Sequence, residues 1–142
     1  MFKNIQAKLM GGAKRMSGRT DMLEAVCAAC AWTAAADGSI DDSEIDQSVK
    51  AVTSNETLNT AFGAREIEGC MERMIDRANG GRMGIRGLQK EIEDIKSNAE
   101  DAEMVLLAAM DVADADGNMD DDEVKVLEKI AKLLGLNFAN YD

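Results

Sequence analysis

Apolar residues recur at spacings of three and four along most of the chain, the period of a helix with one buried face. From Asp21 to about Ala36 the stripe is Leu23, Val26, Cys27, Cys30, Ala31 and Ala34, and Asp37-Gly38 ends it. A second helix opens at Asp41, with Ile45, Val49 and Val52 inward and Asn55 near its end. Asn55–Phe62 reads as a short helix and Ala64–Ala78 as a longer one carrying Ile67, Met71 and Ile75. Asn79-Gly80-Gly81 breaks the pattern, and Arg82–Lys96 resumes it with Ile85, Leu88, Ile92 and Ile95. Glu100–Ala115 includes Met104-Val105-Leu106-Leu107-Ala108-Ala109-Met110, apolar on nearly every face, which predicts the central, buried helix. Asp120–Leu134 follows with Val124, Leu127, Ile130, Ala131 and Leu134 inward; Gly135 is its stop signal, and a short turn over Asn137–Tyr141 closes the chain. Upstream, Phe2, Ile5, Leu9 and Met16 make a weak amphipathic helix over residues 2–16, interrupted by Gly11-Gly12.

An internal repeat organises these elements. At an offset of 79 residues, Glu24, Val26, Ala29, Ala34, Ala36, Asp37, Gly38, Asp41, Asp42, Glu44 and Lys50 match Glu103, Val105, Ala108, Ala113, Ala115, Asp116, Gly117, Asp120, Asp121, Glu123 and Lys129. The matches run without a gap and concentrate at the acidic Gly turn. Each copy is helix, turn, helix, so two related hairpins bridged by the middle helices are expected. The chain reads as all-α: a compact bundle of about seven helices with an internal pseudo-twofold helix–acidic turn–helix repeat.

Composition agrees. The 142 residues suit one domain, there is no proline, and Ala, Met, Leu, Glu and Lys, all good helix formers, dominate. Net charge is −11, unevenly spread. Residues 1–20 hold Lys3, Lys8, Lys14, Arg15 and Arg19 and no acid, a charge of +5; residues 21–142 hold all 27 acids and carry −16. Such a body repels nucleic acid and attracts cations or basic partners, while the basic arm suits anionic lipid, nucleic acid or an acidic partner. No stretch is apolar for long enough to span a bilayer, no secretory signal is expected, and three cysteines do not make a disulfide scaffold. The cytoplasm is the expected location.

The turns carry the candidate chemistry. In a calcium-binding helix–loop–helix, Gly stands sixth and Glu twelfth of the loop. With Gly117 sixth, Asp114 is third, Asp116 fifth, Asn118 seventh, Met119 eighth, Asp120 ninth and Glu123 twelfth. With Gly38 sixth, Asp37 is fifth, Ser39 seventh, Ile40 eighth, Asp41 ninth and Glu44 twelfth. The first position fails in both, being Thr33 and Val112. A site therefore needs carboxylates from both turns, or water at the vacant positions. Helix capping competes as an explanation, because Asp41…Glu44 and Asp120…Glu123 are also capping boxes. Capping does not account for Asp37, Asp111, Asp114 and Asp116, which face the negative end of the preceding helix dipole at a cost of about 0.3–1 kcal/mol each when exposed. The second turn, with three such acids, is the stronger candidate. With no His in the chain, an all-oxygen ligand set favours Ca2+ or Mg2+ over zinc or copper.

Other signals read as structure. Cys27-Ala-Ala-Cys30 has redox spacing but lies mid-helix on the apolar face, so core thiols are expected. The methionines fall at helical spacings and fill the core. Trp32 lies off the main stripe, opposite Asp111 in the repeat, and is either core or a half-exposed contact. Gly80-Gly81-Arg82-Met83-Gly84 with Arg86 and Gly87 reads as an interhelical loop rather than a phosphate cradle. With no His for general base work, no nucleophile motif and no glycine-rich phosphate loop, catalysis has little support.

The segments Ala34-Ala35-Ala36-Asp37-Gly38-Ser39-Ile40-Asp41-Asp42-Ser43-Glu44 and Ala113-Asp114-Ala115-Asp116-Gly117-Asn118-Met119-Asp120-Asp121-Asp122-Glu123 resemble the TerB family of tellurite-resistance proteins. The closing Ile130-Ala131-Lys132-Leu133-Leu134-Gly135-Leu136 and the preceding basic arm share the likeness. It covers about residues 20–142 and is strongest at the two turns. Ser43 and Asp122 stand where many members have another Glu. The division drawn is a basic, weakly amphipathic arm over 1–20 and a TerB-like helical domain over 21–142. The resemblance implies cation ligands at Asp37, Asp41, Glu44, Asp116, Asp120 and Glu123, to which the loop alignment adds Asp114. It also implies tellurite and stress resistance beside other Ter-type proteins, including membrane-bound ones, at the inner face of the membrane. The expected role is a non-enzymatic adaptor with a divalent cation, Ca2+ or Mg2+, at the paired turns, and with peripheral membrane contact through the arm. The alternatives are a metal-dependent, hydrolase-like enzyme using the same carboxylates, or a structural bundle with no ion.

Overall fold

In a computed structural model, which describes residues 13, 14, 16–38, 40–115 and 119–141, seven α-helices follow one another and a 3-10 turn closes the chain. The helices are α1 (Thr20–Ala34), α2 (Asp42–Thr53), α3 (Glu56–Phe62), α4 (Ala64–Ala78), α5 (Gly81–Glu93), α6 (Ala99–Asp114) and α7 (Asp121–Leu133); the 3-10 turn is Phe138–Asn140. Among the described residues there is no strand, and no helix is long and apolar enough to cross a membrane. The all-α bundle expected from the sequence is the fold found.

The centre is α1, not the Glu100–Ala115 helix that its unbroken apolar run pointed to. Eleven of the fifteen residues of α1 are buried, and it packs against α6, α4 and α5 while touching α2 and α7. The reason is side-chain size. Ala25, Cys27, Ala28, Ala29, Cys30 and Ala31 are all buried and small, so backbones approach α1 from every side. In α6, Glu103, Met104 and Leu107 remain half-buried and Asp111 is exposed, so one flank of that helix stays at the surface. Around α1, Met22, Met71, Leu88, Ile92, Leu106 and Ile130 are almost wholly buried, each worth about 1.5–3 kcal/mol of transfer free energy.

Polar side chains set the helix starts. Asn55 Oδ1 accepts the Leu58 N–H at 3.1 Å to open α3. Asn98 Oδ1 accepts from Glu100 N at 3.0 Å and Asp101 N at 3.2 Å to open α6. The glycine-rich stretch expected to be a loop instead lies mostly inside α5. A Cβ at Gly84 would overlap the Arg77 carbonyl oxygen, so this glycine is where the backbones of α4 and α5 meet. At its other end α5 stops at Glu93, and the chain continues through turns to Asn98 with Ile95 still buried.

Before α1, Ala13 and Met16 are buried in the same core, and Gly18, at φ 74°, turns the chain into the helix. Arg19 then reaches two carboxylates, Asp21 Oδ2 and Asp101 Oδ2, each at 2.9 Å. Residues 1–12, which hold most of the amphipathic helix expected over 2–16, lie outside the described residues, as does Arg15.

The repeat is visible as geometry. The hairpins α1–α2 and α6–α7 meet with α1 against α6, while α1 touches α7 and α6 touches α2, the reciprocal contacts that a twofold relation requires. Trp32, on α1, shares a cavity wall with Leu133 at the end of α7. Its counterpart Asp111, on α6, takes a hydrogen bond from Asn55 Nδ2 at 3.3 Å, just past the end of α2. The positions correspond and the chemistry differs. Trp32 is 6% exposed, which places it in the core.

Candidate functional site

Each turn begins where a helix runs out of partners for its last carbonyls. In the first, the Ala36 N–H bonds Thr33 O at 3.2 Å and the Gly38 N–H bonds Ala35 O at 2.9 Å. Gly38 sits at φ 102°, a conformation that L side chains avoid. Asp41 then caps α2, its Oδ1 accepting the Glu44 N–H at 2.8 Å. In the second turn the Ala115 N–H bonds Val112 O at 3.2 Å, and Asp120 caps α7 with the same 2.8 Å bond from Glu123 N. Asp116, Gly117 and Asn118 lie outside the described residues, and so therefore does the ligand expected at Asp116.

The two caps differ in one respect. Glu123 Oε1 accepts a 3.1 Å bond from the Asp120 N–H, completing the reciprocal box, whereas Glu44 meets the Asp41 side chain and not its backbone N–H. Capping was expected to account for both glutamates and accounts for one. Glu44 instead stands among other acids. Burial first, then the charges of Asp41 and Asp37, push its carboxyl above the ordinary range. Nearby, the Asp111 carboxyl is also raised, chiefly by burial, with the hydrogen bond from Asn55 acting the other way and the charge of Asp114 adding to the rise.

A cavity of about 730 Å³ lies between the turns. Three pairs related by the repeat face it: Thr33 with Val112, Ala36 with Ala115, and Glu44 with Glu123. The cavity therefore straddles the relation between the hairpins rather than belonging to either. Asp37 and Asp120 also line it, so Asp37, Glu44, Asp120 and Glu123 are brought around one space. Asp41 and Asp114 are not in its wall: Asp41 is exposed at the α2 cap, and Asp114 is exposed as the last residue of α6. Among the described residues, no three acids stand close enough together to grip an ion as they are.

Groups that the turn motif did not flag complete the wall. Thr33 Oγ1 donates to Ala29 O at 2.8 Å, Ser48 Oγ to Glu44 O at 2.7 Å, and Ser54 Oγ to Lys50 O at 2.6 Å. With their protons engaged by backbone, these hydroxyls can offer only lone pairs to an occupant. Gln47 and Lys50 share the wall, Lys50 as its cation. The signal for these residues was present in the sequence: Gln47, Ser48, Ala51 and Ser54 fall at spacings of three and four on one face of α2. The donor set is oxygen throughout, the chemistry that suits Ca2+ or Mg2+. All three thiols are buried elsewhere, and burial pushes the Cys30 thiol well above its usual range.

The family model described as tellurite resistance protein TerB matches residues 23–142. No curated protein and no solved structure matches the chain.

Proposed function

The chain belongs to the TerB family of tellurite-resistance proteins, and we propose that it acts there as a non-enzymatic adaptor whose two acidic turns hold one divalent cation between them. The observation that carries this reading is the shared cavity, with Glu44 and Glu123 facing it from related positions and Asp37 and Asp120 beside them. An ion there would offset the burial and the charges of Asp41 and Asp37 that together raise the Glu44 carboxyl. It also ties the α1–α2 hairpin to the α6–α7 hairpin, so ion occupancy would set the surface offered to a partner. The partners proposed are other Ter-type proteins, membrane-bound ones among them, with the basic arm meeting anionic lipid at the inner membrane face. The acidic body argues against nucleic acid as a partner.

Titrating Ca2+ and Mg2+ while following the backbone amide of Gly38 and the side chain of Glu44 tests the reading. Saturable shifts are expected, weakened about tenfold or more when Glu44→Gln and Glu123→Gln are combined. No shift up to millimolar ion removes it.

One observation favours a second reading. The cavity has room for a small molecule beside the acids, and a raised carboxyl such as Glu44 suits a general base. The same residues would then serve a metal-dependent hydrolase. Turnover of p-nitrophenyl phosphate with Mg2+, lost in Glu44→Gln, would favour the enzyme over the adaptor.

A further inference from the structure

The C-terminal end of α7 carries a different site. Lys129 and Lys132 on α7, and Lys96 in the turn after α5, line a cavity of about 400 Å³ walled by Trp32 and Leu133. Among the described residues, the ion pairs are Arg19–Asp21, Arg19–Asp101, Arg77–Glu91 and Arg86–Glu93, so none of the three lysines is engaged by an acid. The acid in this wall, Glu93, is held by Arg86 at 3.3 Å. Trp32 and Gln89 also border a neighbouring cavity edged by Arg82 and Arg86. Five cations thus surround one tryptophan on a chain of net charge −11.

The helix dipole accounts for part of this. A cation in the last turn of α7 faces its negative end, which is favourable for Lys132. It does not account for Lys96, which comes from another element into the same concavity. The internal repeat sharpens the point. On the related face the position of Trp32 is taken by Asp111, an anion beside the end of α2. On this face an indole stands there instead, and the carboxylate in the wall, Glu93, is paired with Arg86 rather than with a lysine.

We propose that the Trp32–Lys96–Lys129–Lys132 cavity binds a small soluble oxyanion of the phosphate class, the ammonium groups holding its charge and Trp32 and Leu133 forming the apolar wall. Lysine ammoniums act as point charges for phosphate. The ligand is small because the acidic body around this recess, −16 over residues 21–142, repels an extended anionic surface laid against this face, while a single dianion can enter a local positive recess. This site is independent of the acidic turns and stands or falls apart from them.

Trp32 is the only tryptophan in the chain, so its fluorescence reports on the two cavities it borders, and the lysine variants tell them apart. Pyrophosphate is titrated at fixed ionic strength, with sodium chloride as the control. A saturable change is expected with pyrophosphate, weakened about tenfold in Lys129→Gln and in Lys132→Gln and retained in Lys129→Arg. No saturation below about 10 mM overturns the proposal. An equal response to chloride, or no change in the Gln variants, overturns it too. Phosphatidylglycerol vesicles are the second arm: a response to vesicles without one to pyrophosphate would make this a membrane contact and sink the small-ligand reading.

Discussion

Asp120 and Glu123 exchange hydrogen bonds, 2.8 Å in one direction and 3.1 Å in the other, whereas Asp41 accepts from the Glu44 N–H while Glu44 takes none from the Asp41 backbone N–H. One glutamate of the related pair is therefore fully engaged as a cap, and the other is held near two further acids. This asymmetry inside a repeat marks Glu44 as the residue whose substitution is most informative.

Its carboxyl is raised in the folded chain, so the folded state binds a proton more tightly than the unfolded one. Stability should then fall as pH rises from the ordinary carboxylate range through the raised value. Glu24, raised by its hydrogen bond to Glu91, and Asp111 slope the same way. Asp21, lowered by Arg19, slopes the opposite way. Melting temperatures from about pH 4 to 7 are expected to decline less steeply in Glu44→Gln than in the parent. An unchanged slope would show that Glu44 is not strained by its neighbours.

The place of the cavity between the hairpins bears on the proposed ion. Two independent calcium loops would take two ions, but a space faced by both Glu44 and Glu123 would take one. Calorimetric titration should give one ion per chain, and either single Gln variant should weaken that one event. Two ions per chain would mean that each turn works alone.

Gly84 sits where a methyl group would run into the Arg77 carbonyl. Gly84→Ala should force α4 and α5 apart and cost about 1–3 kcal/mol in urea unfolding. Gly87→Ala is the control, since its added Cβ would meet only the Arg77 side chain at 3.9 Å.

Cys27, Cys30 and Cys70 are all buried. Ellman's reagent should label none of them quickly in the native chain and all three in denaturant. Rapid native labelling of even one would reopen thiol chemistry for this fold.

Much of this was legible in the chain. Helix positions followed from apolar spacing, and Asp37-Gly38 marked a real reversal because only glycine is comfortable at φ 102°. What spacing could not reveal was the third dimension. The alanines and cysteines of α1 look less hydrophobic than the Met104–Met110 run, yet small size lets five helices gather round α1. Gly84 sits among glycines that read as a loop, and only the path of α4 past α5 shows why it is needed. At the candidate site, the turn motif pointed to the acids because their spacing is local. Thr33 joins them from α1, and Ser48 and Ser54 from α2 and its end, through the packing of both helices beside α6, which no single segment encodes.

The pairing of Arg19 with Asp101 reaches beyond its own contact. Asp101 is buried at the start of α6, its side chain 4% exposed, and Arg19 lies two residues ahead of the first acid of the chain. A chain trimmed to begin at Asp21 would take the Arg19 guanidinium from that carboxylate, and would also lose Met16 from the core. Removing one partner from a buried pair costs about 3–5 kcal/mol, and less here because Arg19 is one-third exposed. The segment that charge alone sets apart as a tail therefore supplies Ala13 and Met16 to the core and Arg19 to a buried carboxylate.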